Sequence, residues 1–105
     1  MKKSVKRRIN RQDFIFTIGY TGMAAVVDAE GKKRYGNLSA QQLMDKGLYR
    51  CAFASVIYDN NETELQQFVD EFRTKTRIQV ESVDQVRRLF GVYQVPDGIE
   101  KVIPV

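Results

Sequence analysis

Leu48-Tyr-Arg-Cys-Ala-Phe-Ala-Ser-Val-Ile-Tyr58 is the stretch on which the fold turns. It is nearly continuous in apolar residues, as a strand buried on both faces would be. Its spacing favours another reading. Tyr49, Ala52, Phe53, Val56 and Ile57 recur at i, i+3, i+4, i+7 and i+8, which is one stripe of a helix. Ala52 and Ala54 add helix propensity. Residues 48–58 are therefore read as a helix, which makes the middle of the chain helical and leaves strands to its two ends.

The flanks agree. Downstream, Asn61 caps a second helix with Glu64 at the box position, and Leu65, Phe68, Val69 and Phe72 form its apolar face. Ser82 and Gln85 repeat the capping pattern before Val83, Val86, Leu89 and Phe90, which are expected to point inward. Gly91 closes that helix, and Arg87 and Arg88 lie in its last turn, where cations suit the dipole. Upstream, Ser39 and Gln42 open a helix over about 40–46. Leu38 and Leu43 have staple spacing there, and Gly47 supplies the stop.

Residues 13–20 change period. Phe14, Phe16, Ile18 and Tyr20 alternate with Ile15, Thr17 and Gly19, which predicts a strand. Gly22 allows a turn into a second extended run over 23–28. Asp28 to Gly31 reads as a polar turn, and Lys33 to Tyr35 as a third short strand, so 13–36 is expected to be a hairpin or meander. The tail, Ile99 to Val105, is extended by residue type, and Pro104 suits an edge strand. The expected architecture is α+β: a small antiparallel sheet, made of the N-terminal hairpin plus the C-terminal strand, packed against three or four helices. Residues 1–12 read as a basic N-terminal arm and 13–105 as a single domain.

Composition narrows the function. The 105 residues hold 17 Lys and Arg, 13 Asp and Glu, one Cys and no His, for a formal charge of +4. Without His the commonest general base and metal ligand is missing. One thiol, Cys51, makes neither an intrachain disulfide nor a thiolate cluster. Neither a metal nor an organic cofactor is expected, nor Ser-His-Asp or Cys-His chemistry. The basic start followed by the apolar run 14–27 sketches a signal peptide. Asp13 and the interruptions at Thr17, Gly19, Tyr20, Thr21 and Gly22 speak against it, so a cytoplasmic protein without membrane contact is the expectation.

Charge is uneven. Lys2, Lys3, Lys6, Arg7, Arg8 and Arg11 crowd the first eleven residues with no acid among them, leaving residues 12–105 at −2. Such an arm has the composition of segments that bind phosphate backbones, and equally of a solubilising tail. Arg73, Lys75, Arg77, Arg87 and Arg88 are the basic concentration outside it. Around them, Val69, Phe72, Ile78, Val83 and Val86 have spacings similar to a helix-turn-helix unit. That resemblance would make 82–90 the groove-reading helix, offering Ser82, Asp84, Gln85, Arg87 and Arg88. Arg73 stands where a small residue is usual, Arg77 where a glycine is, and Thr74 to Glu81 is long for the turn; two ordinary packed helices account for the same spacing.

Other motifs have structural explanations. Gly19-Tyr-Thr-Gly22 follows a strand but matches neither the P-loop nor the dinucleotide fingerprint, and a strand bend explains it. Phe14, Phe16 and Tyr20 suit base stacking on a sheet, and suit a core better. Cys51 lies beside Arg50, yet in an apolar run with no base to serve it. Glu62, Glu64, Asp70 and Glu71 read as a solvated helix face. The sequence thus points to a non-enzymatic binding module. Nucleic acid, held by the arm and by the 73–88 cations, is one partner reading; a protein partner or a homo-oligomer, using a strand edge or an apolar helix face, is the alternative.

Overall fold

Helix caps and one three-stranded sheet organise the chain, whose computed structural model describes residues 8–105. The fold is α+β, with α1 (Arg11–Ile15), β1 (Thr17–Thr21), β2 (Ala24–Val27), α2 (Ala29–Tyr35), α3 (Ala40–Asp45), α4 (Tyr49–Asp59), α5 (Glu62–Thr76), α6 (Val83–Phe90) and β3 (Lys101–Pro104). It divides into two compact units. One holds the chain up to Asn37 together with Val95–Val105; the other is Leu38–Gln94. No helix among the described residues is long and apolar enough to cross a membrane.

The first unit holds the sheet. Its N-terminal part departs from the predicted strand over 13–20. Asn10 accepts from the Asp13 N–H at 2.8 Å and its amide donates to Asp13 Oδ2 at 2.8 Å, so the chain starts a helix instead. Phe14, Ile15 and Phe16 are then buried in succession rather than alternately. The strand begins only at Thr17, whose hydroxyl donates to the Asp13 carbonyl at 2.6 Å. Arg8 forms an antiparallel bridge with Asp97 and Ile9 is buried, so the folded unit begins ahead of residue 13.

β1 and β2 form the predicted antiparallel hairpin, turned through Gly22 at φ 58° and bulged between Thr17 and Gly19. β3 joins β2 in parallel, so the sheet is mixed, in the order β1-β2-β3, rather than wholly antiparallel. A hairpin fixes the direction of its second strand. The tail comes back after a long excursion, and that permits a parallel approach. β2 is central, which explains why Ala24, Ala25 and Val27 are buried with little alternation. Residues 28–35 also correct the sequence reading. Asp28 accepts from the Gly31 N–H at 3.1 Å, and this cap opens α2 where a turn and third strand were predicted.

Both sheet edges are blunted. β1 carries the bulge. On β3, the Val105 N–H donates to the Val27 carbonyl and the Ala29 N–H to the Val105 carbonyl. By the two-residue alternation of a strand, Ile103 and Val105 turn their backbone groups to β2, while Val102 and Pro104 turn theirs outward. Proline has no N–H, so that edge lacks a donor where a further strand would need one.

The second unit is helical and follows its sequence pattern closely. Ser39 and Gln42 form the predicted capping box, and Asn61 and Ser82 cap α5 and α6 through the N–H groups of Glu64 and Gln85. α4 is the helix its spacing predicts. Ala52 to Ile57 are all buried, Ser55 included, which is why the run looked strand-like in composition. Its core is aromatic. Phe53 packs on Phe68 and Phe90 at ring-centroid distances of 5.2 and 5.8 Å, and Phe72 on Tyr49, Phe68 and Phe90 at 5.4, 5.7 and 5.4 Å. Leu89 is half-exposed, not inward as its spacing suggested, because Val86 and Phe90 already meet the core.

Candidate anion-binding surfaces

Basic side chains differ in what the fold asks of them. In the second unit most of the sequence-predicted candidates are engaged internally. Arg73 donates through Nη1 to the Val80 carbonyl at 2.8 Å and through Nη2 to Asp70 at 2.9 Å, which ties the loop after α5 back to the helix. Lys75 lies 3.6 Å from Asp45 and 3.9 Å from Glu71. Arg87 pairs with Asp84 at 2.6 Å and donates from Nε to the Tyr93 carbonyl at 3.2 Å. Arg77 and Arg88 are exposed and have no ion pair with any described residue. A groove-reading role for α6 thus loses Arg87 to its own helix and to the chain that follows it.

In the first unit the arm and its surroundings can be sorted the same way. Lys2, Lys3, Lys6 and Arg7 lie outside the described residues. Arg8 is exposed beside Asp97, and Arg11 is half-buried on α1. The structure adds a contribution that the sequence reading missed, from α2. Lys32 reaches Asp13 Oδ1 at 2.6 Å, and Gln12 Nε2 donates to the Gly36 carbonyl at 3.0 Å and to Asn37 at 3.3 Å. Asp13 is only 6% exposed, so Lys32 neutralises a carboxylate that burial would otherwise penalise. These contacts fasten α2 to α1. Among the described residues, Lys33 next to that seam is exposed with no partner, and Arg34 has only an exposed i,i+4 pair with Glu30 at 3.0 Å. Asp28 as a cap, with Lys32 to Arg34 in the following turn, is the sequence signal that identifies this helix.

The remaining candidates fall into place. Phe14 and Phe16 are buried core residues, so they form no stacking platform, while Tyr20 stays half-exposed. Gly22 shapes the hairpin turn. Asp70 and Glu71 pair with Arg73 and Lys75 on a helix face. Cys51 is half-buried on α4. Among the described residues no group of His, Cys, Asp and Glu could hold a metal ion. A shallow groove of about 400 Å³ lies between the 8–13 segment and the chain from Ile99 to Val102. An apolar rim follows β1, where Ile18, Tyr20 and Met23 are 60%, 48% and 54% exposed. Comparison with protein-family models, with curated proteins and with solved structures finds no match.

Proposed function

We propose that this protein is a non-enzymatic binding module for nucleic acid, with its contact centred on the basic N-terminal segment and the α1–α2 corner. The observation that carries this reading is the Asp13–Lys32 pair at 2.6 Å, which fastens α2, with Lys33 and Arg34, to the helix that the basic segment leads into. Residues 1–7 contribute four more cations by sequence. Lys33, unpaired among the described residues, and Arg34, held only by a solvent-exposed pair with Glu30 among them, remain able to neutralise phosphates and release counterions. The cations of 73–88 were expected to share this work, and Arg73, Lys75 and Arg87 are instead occupied within their own unit.

The test is fluorescence anisotropy of labelled duplex DNA and single-stranded RNA, titrated with the full chain at low and physiological salt. Lys2, Lys3, Lys6 and Arg7 replaced by Gln should weaken binding strongly, and K33E/R34E should weaken it further. Substitution is preferable to truncation at Gln12, because Ile9 is core and Asn10 caps α1. Binding that ignores both sets of changes refutes the reading. A second reading rests on the apolar rim at Ile18, Tyr20 and Met23. It predicts a protein partner or a second copy docked through side chains, since both sheet edges are poorly suited to strand addition. Concentration-dependent mass that survives loss of the N-terminal charge would favour it.

A further inference from the structure

Three helices in the second unit end in the left-handed region, and their terminal residues differ in fitness for it. α4 ends at Asn60 with φ 52°, α5 at Arg77 with φ 62°, and α6 at Gly91 with φ 69°. Glycine accepts this conformation freely and asparagine tolerates it through local hydrogen bonds of its short side chain; in arginine the Cβ crowds the carbonyl without that compensation. Arg77 is therefore the misfit of the three. Its N–H closes the helix on the Arg73 carbonyl at 2.8 Å, a bond any of the three residue types would make. Its guanidinium is exposed and makes no hydrogen bond or ion pair to a described residue, in contrast with the cations at 73, 75 and 87. Ile78, next to it, is exposed as well. The side chain thus contributes nothing visible to the fold and sits where the backbone would prefer a smaller residue. An unfavourable backbone conformation kept at an exposed residue motivates a functional hypothesis for its side chain.

We infer that Arg77 is a phosphate-contacting residue, a point of nucleic-acid attachment on the second unit in addition to the α1–α2 corner. The inference rests on the nucleic-acid reading above. A guanidinium suits a phosphodiester because its planar fork donates two parallel hydrogen bonds to the anionic oxygens. No described residue competes for it, so binding would not first have to break a pair with one of them.

Salt dependence gives the test a readout that structural damage would not imitate. Each phosphate contact adds about 0.9 to the slope of log affinity against log salt on duplex DNA, and about 0.7 on single strands. Anisotropy titrations across a salt series would use the full chain, R77N, R77K and, as an internal control, K75Q. Asparagine fits the left-handed region, so R77N should melt no lower than the parent. Its slope should fall by about one contact and its affinity by severalfold at low salt. R77K should keep the slope, and K75Q should leave it unchanged because Lys75 is held by Asp45 and Glu71. An unaltered slope in R77N, or an equal loss in K75Q, overturns the inference while leaving the wider reading intact. Failure of the parent chain to bind either probe overturns both.

Discussion

The two units obey the same physics and differ in how much of it is local. In Leu38–Gln94 every helix is contiguous, α3, α5 and α6 each have a side-chain cap a few residues from their apolar stripe, and Arg73, Lys75 and Arg87 find acidic partners on the same helix or on α3. In the unit that joins residues up to Asn37 to Val95–Val105, the decisive contacts are long-range. The Asp13–Lys32 pair, the Gln12–Gly36 bond and the β2–β3 ladder all join distant parts of the sequence. The locally determined unit engages Arg73, Lys75 and Arg87 internally, whereas on α2 Lys33 stays exposed and unpaired among the described residues, beside the seam that Lys32 closes.

The largest effect is expected in the second unit. Phe53 is fully buried and meets both Phe68 and Phe90. Phe53→Ala removes the ring that joins α4 to α5 and α6 and should cost about 3–5 kcal/mol, a large part of the stability of a small domain. Urea denaturation followed by far-UV circular dichroism would measure it. A loss under about 1 kcal/mol would mean that the aromatic cluster is not the core of this unit.

Asp13→Asn tests the other side. It removes a buried carboxylate from Lys32, whose side chain is about one-third exposed and can find water. The usual cost of breaking a buried pair is therefore reduced to about 1–3 kcal/mol. If the contrast between units holds, amide hydrogen exchange should speed up most in α1 and α2, with α4 and α5 little changed. Uniform loss of protection would erase the distinction.

These two substitutions also mark where the sequence was readable. The helices over 40–46, 48–58 and 82–90, and the one that Asn61 caps with Leu65, Phe68, Val69 and Phe72 on its apolar face, followed from caps and stripes, since a helix is fixed by neighbours three and four residues apart. The α+β class followed with them. Phe14, Phe16 and Tyr20 show the limit. Their alternation looked like one strand, but the first two are core residues around a short helix and only the third lies on a strand. The Asn10–Asp13 exchange that decides between these forms occupies four residues and leaves no periodic trace. The direction of β3 was equally hidden, because nothing in an isolated extended tail specifies its neighbour. Of the candidate site, Arg77 was legible as a basic residue but not as one in a left-handed backbone. Lys33 and Arg34 do not stand out as a site while 28–35 reads as a turn and a strand; the Asp28 cap makes them neighbours on a helix.

A smaller effect isolates the local rule itself. Ser39 accepts from the Gln42 N–H at 3.1 Å and Gln42 Oε1 accepts from the Ser39 N–H at 2.9 Å. Ser39→Ala should cost about 1 kcal/mol, seen as a modest drop in melting temperature and fraying confined to the start of α3. Loss spread across the unit would mean that the cap does more than close its own helix.

The smallest effect on stability should come from Pro104, and it tests the long-range unit at its margin. β3 is an edge strand whose outward-facing groups come from Val102 and Pro104, so one donor is missing from the row. Pro104→Val restores that N–H without disturbing the ladder to β2, because the bonds that hold the strand end belong to Val105. Melting temperature should move little, since an exposed edge position buries nothing new. Association should change instead. Light scattering at matched concentrations should report a higher mass for P104V than for the parent chain, as a complete edge recruits a second copy. Equal masses would mean that the missing donor is not what guards this edge, and would shift attention to the exposed charges of Glu100 and Lys101 at the start of the strand.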